Sequence, residues 1–261
     1  MPTKITVIGA GSVGAAITND IMVQGIASEI LLIDINKQKA FGEALDIYQG
    51  APFCSPAIVR SGDYEDAADS DIVIITSGVP RKPGQTRLEL AQTNVNILKQ
   101  ITPQIVKYAP EAIYILVSNP VDILTYVFHK ISGLPEHQII GSGTVLDKTG
   151  IRWNSDYQEV EEFVKTSGAQ VIKAKGATFY AVAMSVCHIC KVLLSGAGTA
   201  VTVSTMMHGE YGVDDVCLST LNLVGKRGIQ QKIISPLTEE ETAKLQASAA
   251  KLKEIIASLE I

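Results

Sequence analysis

The chain contains 261 residues, of which 46% are hydrophobic and 19% charged, and its formal net charge is −5. This composition excludes disorder, collagen and coiled coil, and the length accommodates one large α/β domain or two domains of ordinary size. The mild acidity argues against nucleic acid or an anionic membrane as a partner, because both are usually bound by a basic surface.

Short β-branched runs alternate with segments of helical periodicity from residue 4 to about residue 143. Between the first two runs, Val13, Ile17 and Ile21 form one helical stripe, and Gly25 provides a stop. The runs are almost continuously apolar, which is typical of parallel strands covered on both faces. The alternation therefore predicts a Rossmann-type doubly wound parallel sheet. The predicted strands are Lys4–Ile8, Glu29–Ile33, Ala57–Arg60, Asp71–Ile75, Ala112–Val117 and Gln138–Ile140.

The pattern changes after residue 148. A helical pattern precedes the apolar segment Ala177–Leu194, and turn signals divide residues 200–234 into antiparallel strands. A capping box at Thr238–Glu241 opens a last helix over residues 238–258. We therefore predict two domains, residues 1–145 with the doubly wound sheet and residues 146–261 with a smaller α+β fold.

Neither a targeting segment nor a membrane span is expected. Residues 1–9 run directly into a strand pattern, and polar residues and glycines interrupt the most apolar stretch, residues 192–207. The four cysteines are too few and too scattered for a disulfide framework, which indicates a reducing, cytoplasmic setting. They are Cys54, Cys187, Cys190 and Cys217.

The segment Gly9-Ala-Gly11-Ser-Val-Gly14 is a GxGxxG fingerprint that follows a predicted strand and opens a predicted helix. Gly9 permits a tight turn, Gly11 lets the backbone approach a pyrophosphate, and Gly14 allows the helix to pack closely on the strand. Asp34 ends the next strand, where an acid binds ribose hydroxyls and repels a 2′-phosphate. The sequence therefore predicts NAD rather than NADP; the alternative is a glycine-rich turn without a ligand.

Several longer motifs extend over the chain. They are ITVIGAGSVG (5–14), LLIDIN (31–36), GVPRKPGQTR (78–87), VSNPVDILTY (117–126), GSGTVLD (141–147), KGATFYAVAMSV (175–186) and the PLTEEE segment before the last helix. Together they resemble the L-lactate/malate dehydrogenase family, and within it the bacterial L-lactate enzymes. The resemblance implies an NAD-dependent transfer of hydride between NADH and pyruvate, in a fermentative role at the end of glycolysis. It also implies a small 2-oxo or 2-hydroxy acid substrate and a homodimer or homotetramer.

The resemblance assigns catalytic roles to Arg87 and Asp147, and substrate contacts to Asn119, Asp122 and Thr178. Arg87 is implied to close over the substrate and polarise its carbonyl, and Asp147 to orient a catalytic imidazole. Asn119 is implied to donate to a substrate oxygen and to precede a cis bond to proline. Without the resemblance, the first three of these would be a solvated arginine, a helix N-cap and a turn asparagine. Cofactor contacts are implied at Gly9, Gly11, Val13, Gly14, Asp34, Lys39, Gly78, Val117, Ser118, Asn119 and Ser142, and no metal site is expected.

Arg81 bears on which acid is recognised. In this motif the family pattern associates glutamine with lactate and arginine with malate, since a guanidinium can pair with the second carboxylate of oxaloacetate. The surrounding RLELAQTN and the segment MMHGEYGVDDVCLS resemble the lactate enzymes instead. We therefore predict L-lactate dehydrogenase activity and keep malate dehydrogenase as the alternative.

The family pattern is broken after Asp147. Gly150 stands where an arginine that binds the substrate carboxylate is expected, and Arg152 could replace it only with its guanidinium aimed differently. The segment that carries the general acid/base histidine is also absent, so the substrate domain is incomplete and several dozen residues are missing at the junction 147–148. One explanation is that this segment is deleted, and the protein is then a catalytically dead NAD-binding module. The other is that the chain contains the segment and the present numbering omits it.

The remaining histidines and cysteines do not replace the lost segment. The stretch His208–Glu210 imitates the missing motif, but the resemblance implies that its counterpart in the family is a strand-end segment of the second domain, so it is expected to be structural. The stretch Cys187–Cys190 invites a zinc interpretation, which would require two further ligands. We expect these thiols to be small core residues.

Overall fold

The structure is a computed structural model that describes residues 3–80, 86–143 and 157–261. Its strands are β1 (Lys4–Ile8), β2 (Glu29–Ile33), β3 (Ile58–Ser61), β4 (Ile72–Ile75), β5 (Ile113–Leu116), β6 (Ile139–Gly141), β7 (Thr199–His208), β8 (Asp214–Gly225) and β9 (Gly228–Lys232). Its helices are α1 (Ser12–Val23), α2 (Lys37–Gln49), α3 (Arg87–Tyr108), α4 (Val121–Ser132), α5 (Tyr157–Lys175), α6 (Tyr180–Ser195) and α7 (Glu239–Ala257).

The strands of the described residues form one sheet in the order β3-β2-β1-β4-β5-β6-β7-β8-β9. Strands β1 to β6 are parallel, and β7, β8 and β9 continue the sheet in antiparallel fashion from the pairing of Gly141 with Ser204. The chain order reverses between β1 and β4, which places a ligand crevice at the carboxyl ends of these strands. The predicted fold class, a doubly wound sheet followed by an α+β part, is confirmed.

Helices cover both faces of the parallel strands, which explains why these strands are apolar at nearly every position. In β1, Ile5 and Val7 pack into one core together with α1, α2 and α6, whereas Ile8 packs into a second core with α3, α4 and α7. The first core also contains Val186 of α6 and Val203 of β7, so both parts of the chain contribute to it. Because the sheet and this core continue across residue 145, the predicted division into two domains stays a prediction.

The last helix begins where the capping box predicts. Thr238 is its N-cap, and the Thr238 hydroxyl accepts a hydrogen bond from the backbone N–H of Glu241 at 3.2 Å. The predicted antiparallel strands between residues 200 and 234 are β7, β8 and β9. Within the described ranges, no helix has both the length and the apolar character needed to cross a bilayer.

Candidate active site

In the turn between β1 and α1, the backbone at the start of the helix lies close to the backbone at the end of the strand. Gly9 has a φ of +110°, and a Cβ there would lie 2.6 Å from Thr76 Oγ1. A Cβ at Gly14 would lie 1.8 Å from the carbonyl oxygen of Gly9, so a glycine is required for α1 to begin this close to β1. A Cβ at Gly11, in contrast, meets no atom of the described residues within 4 Å. Gly9 and Gly14 therefore shape the turn, and Gly11 faces open space at the N-terminus of α1.

Asp34 follows β2 and connects it to the glycine turn. Its Oδ2 accepts a hydrogen bond from the backbone N–H of Ala10 at 2.6 Å, and its Oδ1 accepts one from Asn36 at 2.8 Å. Each carboxylate oxygen retains a lone pair for a further donor. Ile35 beside it is 99% exposed, and Lys39 is exposed near the start of α2. The carboxylate is thus fixed at the end of β2, in a position to accept from ribose hydroxyls.

The loops that follow β4 and β5 contact each other. The Ser118 hydroxyl donates to the carbonyl oxygen of Ser77 at 2.7 Å. A Cβ at Gly78 would lie 3.3 Å from Ser118 Cβ and 3.2 Å from Asn94 Oδ1, which leaves little room for a side chain. Gly78 therefore allows the close approach of two loops that both carry predicted cofactor contacts.

Asn119 lies at the end of the second of these loops. Its bond to Pro120 is cis, as predicted. The Asn119 carbonyl oxygen accepts a hydrogen bond from Asn94 Nδ2 at 2.7 Å, and Asn94 Oδ1 accepts one from the backbone N–H of Val79 at 2.8 Å. Asn94 was not among the predicted site residues. Its signal was a polar residue on the apolar stripe of a helix, where a buried side chain needs hydrogen-bond partners.

Asp122 lies in the first turn of α4, and its side chain is bound by β7. The Ser204 hydroxyl donates to Asp122 Oδ1 at 2.5 Å. Burial raises the pKa of the Asp122 carboxyl, and the bond from Ser204 acts in the opposite direction. Ser204 also pairs with Gly141, so this contact lies where the parallel and antiparallel parts of the sheet meet. The predicted substrate contact of Asp122 stays a prediction, and the structure shows a link between α4 and β7.

The structure also describes four further predicted residues. Val117 and Ser142 extend the backbone ladders beyond β5 and β6, and Val13 packs from α1 against the first core. Thr178 lies half-buried in the turn before α6. Their positions are compatible with the predicted contacts, which stay predictions.

The predicted arginines and the catalytic aspartate are placed only in part. Arg87 opens α3, where Thr86 is the N-cap, but its side chain lies outside the described residues. Arg81, Asp147 and Arg152 also lie outside them, as does the junction 147–148. The structure therefore brings together the glycine turn, Asp34 and the loops after β4 and β5.

Two histidines lie at the other end of the sheet, on either side of one carboxylate. His208 Nε2 is 2.7 Å from Glu136 Oε2, and His129 Nε2 is 3.1 Å from Glu136 Oε1. His208 ends β7, which runs antiparallel to β6, so it lies near the start of β6 and away from the crevice. His208 therefore contacts Glu136 at this end of the sheet, in keeping with the structural role expected for it.

We expect His129 to make the protein less stable in mild acid. Burial lowers the pKa of this imidazole below its ordinary value of 6.5, although Glu136 opposes the shift; Lys130 and His208 lower it further. The unfolded chain therefore binds a proton more readily, so the stabilisation is present above about pH 6.5 and is lost as the pH falls below it. Urea unfolding at about pH 7.5 and about pH 5.5 should show a larger loss for the wild type than for His129→Gln. Equal losses in the two proteins would contradict this assignment.

The cysteines of α6 are buried and unreactive. Burial raises the pKa of the Cys187 thiol to about 12 and raises that of Cys190 as well. In the ranges that the structure describes, no group of three or more histidine, cysteine, aspartate or glutamate side chains could hold a metal ion. Cys187 and Cys190 are therefore core residues.

The sequence matches two family models that together cover nearly the whole chain. The lactate/malate dehydrogenase NAD-binding domain matches residues 3–141, and the lactate/malate dehydrogenase alpha/beta C-terminal domain matches residues 136–260. The chain belongs to the lactate/malate dehydrogenase family.

Relatives within this family are similar over their full length. L-lactate dehydrogenase 1 of Clostridium acetobutylicum is 41% identical, with 98% of each chain covered. An L-lactate dehydrogenase of Clostridium botulinum is also 41% identical, with 96% of this chain and 95% of the relative covered. The crystal structure of the minor L-lactate dehydrogenase from Enterococcus mundtii superposes with a TM-score of 0.92 at 30% identity, covering 100% of this chain and 99% of that one.

Compared with these members of the lactate/malate dehydrogenase family, the C-terminal domain of this chain is shortened. The alignment to the Clostridium acetobutylicum enzyme extends over 308 positions, whereas the chain has 261 residues. Several dozen residues of that relative therefore have no counterpart here. This agrees with the missing segment that the motifs indicate, while its location at 147–148 stays a prediction.

The family implies NAD as the cofactor, and the residues of the crevice fit it. Gly11 leaves open space at the N-terminus of α1, where backbone N–H groups and the helix dipole stabilise a pyrophosphate. Asp34 presents both carboxylate oxygens at the end of β2, and a 2′-phosphate there would meet its negative charge. The site therefore suits NAD.

Proposed function

We propose that this protein is an NAD-dependent L-lactate dehydrogenase that interconverts pyruvate and L-lactate. The observation that carries the proposal is the 41% identity to an L-lactate dehydrogenase over 98% of the chain, which includes both domains. The relatives reported above are lactate enzymes, so malate dehydrogenase, the alternative suggested by Arg81, is not favoured.

The cofactor would lie across the carboxyl ends of β1, β2, β4 and β5. Gly11 would allow the pyrophosphate to approach the backbone, and Asp34 would accept hydrogen bonds from the adenosine ribose. Ile35, which is fully exposed, would give the adenine an apolar surface. Gly78 and Ser118, in the two contacting loops, would line the nicotinamide end. The bound NADH supplies the hydride, and these residues orient it.

The substrate would lie beside the loop that ends at Asn119. The Asn119 amide would donate to the substrate oxygen, and Arg87, at the start of α3, would stabilise the negative charge that develops there. Thr178 would present a hydroxyl on the other side, and Asp122 would support this region through α4. Asp147 would stabilise an imidazolium. The general acid itself belongs to the segment that the motifs show to be missing.

The assay that tests the proposal is NADH oxidation by the purified chain, with pyruvate and with oxaloacetate at saturating NADH. We expect slow turnover with pyruvate, because water must supply the proton that the missing general acid would donate, and a lower kcat/KM with oxaloacetate. Arg81→Gln should leave this preference in place, whereas an oxaloacetate preference that disappears in the variant would support the malate alternative.

The absence of the histidine segment favours a second candidate, an NAD-binding module without catalysis. It predicts that NADH raises the melting temperature while neither acid is reduced. Inertness with both acids would refute the dehydrogenase proposal, and turnover above the rate without protein would refute the second candidate.

We also propose that the protein is a homodimer or homotetramer in the cytoplasm. Phe41, Leu45 and Tyr48 form an exposed apolar face on α2, beside a groove of about 660 Å³ that extends to Ile58. A face of this kind is typical of an interface with another copy. The cysteines of the protein are unpaired, which agrees with the proposed location in a reducing compartment. Light scattering on the purified protein measures the oligomeric state.

A further inference from the structure

The Asn94 side chain is inserted between the two loops that end β4 and β5. It is 2% exposed, although the rest of the buried face of α3 is largely apolar. Asn94 Oδ1 accepts the backbone N–H of Val79 at 2.8 Å. Its Nδ2 donates to the Asn119 carbonyl at 2.7 Å and, more weakly, to the Val79 carbonyl at 3.4 Å.

These partners leave one orientation for the amide. A backbone N–H requires an acceptor, and two carbonyl oxygens require donors, so Oδ1 must face Val79 N and Nδ2 must face the carbonyls. An amide is the only uncharged side-chain group that offers this acceptor and two donors at once. Serine and threonine have a single donor, and an ionised aspartate has none.

The position of Asn94 connects three segments that carry predicted site residues. Gly78 and Val79 follow β4, Asn119 ends the loop after β5, and α3 begins at Arg87. Arg87 and Asn94 are seven residues apart, which places their Cα atoms on one face of α3 and about 10 Å apart along its axis. The Asn94 amide therefore fixes the distance between the helix that starts at Arg87 and the loop that ends at Asn119.

We propose that Asn94 is a positioning residue for hydride transfer. It holds the Asn119 loop and the Gly78–Val79 loop at the separation that the nicotinamide and the substrate need, and it does so through their backbones rather than by touching either molecule. The role in turnover rests on the proposed dehydrogenase function. The effect on cofactor binding and on the Val79 amide does not depend on it.

The variant Asn94→Asp tests this role through pH. Aspartate has the same shape, and one oxygen still accepts from Val79. When ionised, the other oxygen opposes the Asn119 carbonyl, whereas the protonated carboxyl can donate to it. We expect kcat/KM for pyruvate and the affinity for NADH to fall by about tenfold at about pH 8, and to recover towards wild-type values at about pH 5.5.

The matched control is Asn96→Asp, two residues further along the same helix, where the side chain is exposed and bonded to Gln92. It adds the same charge to α3 and should behave like the wild type at both pH values. Amide hydrogen exchange gives a readout independent of turnover. In Asn94→Ala, the Val79 N–H should exchange at least about tenfold faster than in Asn96→Asp, relative to amides within β4.

The two proposals fail in different ways. If the wild type binds NADH but reduces neither acid, the dehydrogenase proposal fails, and Asn94 is still tested by NADH affinity and by exchange at Val79. If Asn94→Asp matches Asn96→Asp in NADH affinity at both pH values and Val79 exchange is unchanged in Asn94→Ala, the Asn94 proposal is overturned. Recovery of Asn94→Asp in acid, without recovery of Asn94→Ala, supports it.

Discussion

Replacing Gly11 with alanine raises the Kd for NADH by at least about tenfold, while the free energy of unfolding without cofactor changes by less than about 1 kcal/mol. The new Cβ meets no described atom within 4 Å, and the φ of −76° at Gly11 is ordinary for alanine, so the folded protein accommodates it. The methyl group occupies the space that the pyrophosphate needs. Fluorescence titration with NADH and urea unfolding measure the two quantities.

The matched variant is Gly14→Ala, in the same turn. Its Cβ would lie 1.8 Å from the Gly9 carbonyl oxygen, and a backbone atom cannot move aside as the end of a side chain can. We expect a loss of about 1–3 kcal/mol or more in unfolding free energy, together with weakened NADH binding. Gly11→Ala with wild-type NADH affinity would show that the pyrophosphate does not approach the backbone there. Gly14→Ala with wild-type stability would show that α1 can move away from β1.

Replacing Phe128 with alanine lowers the free energy of unfolding by about 3–5 kcal/mol. Phe128 on α4 is fully buried in the second core, where its ring lies 5.0 Å from that of Tyr114 on β5. Truncation removes this aromatic contact and leaves a cavity between helix and sheet. Urea unfolding measures the change, and an unaltered m-value would show that the unfolded state is the same.

The control for this substitution is Phe128→Leu, which keeps most of the buried volume and should cost about 1 kcal/mol. Equal losses for alanine and leucine would show that the aromatic pair, rather than the cavity, dominates. A loss under about 1 kcal/mol for alanine would contradict the tight packing at this position. Because α4 follows Asn119 directly, Phe128→Ala should also raise the KM for pyruvate in the folded protein.

The ends of the parallel strands could be predicted to within about one residue. These strands are buried on both faces, so each is a continuous apolar run with clear limits in the sequence. Helix α2 could not be predicted in this way, because its pattern is inverted: the residues it buries are the small Ala40 and Ala44, whereas Phe41, Leu45 and Tyr48 are exposed. The large apolar residues do recur at helical spacing, but they form the exposed face, so periodicity would assign the wrong face of this helix to the core.

In the candidate site, the glycine turn and Asp34 were predictable because the fingerprint lies within a short stretch of sequence. Each of its residues is required by the local backbone geometry or by the ribose. Asn94 and Ser204 were not predictable, because their contacts cross long stretches of sequence. Asn94 reaches Asn119, 25 positions away, and Ser204 reaches Asp122, 82 positions away. Only the folded chain shows that a buried polar group has found partners at such separations.

The first core joins the two parts of the chain, so a fragment that contains only the first part would lack some of that core. Helix α6, from the second part of the chain, packs against α1, and its residues share a core with β1 and β2. A fragment cut after residue 145 would expose the side chains of α1 that α6 covers. Such an exposed apolar surface promotes aggregation. The residues that match the NAD-binding domain are thus contiguous in the sequence, but they share their hydrophobic core with α6, which lies beyond residue 145.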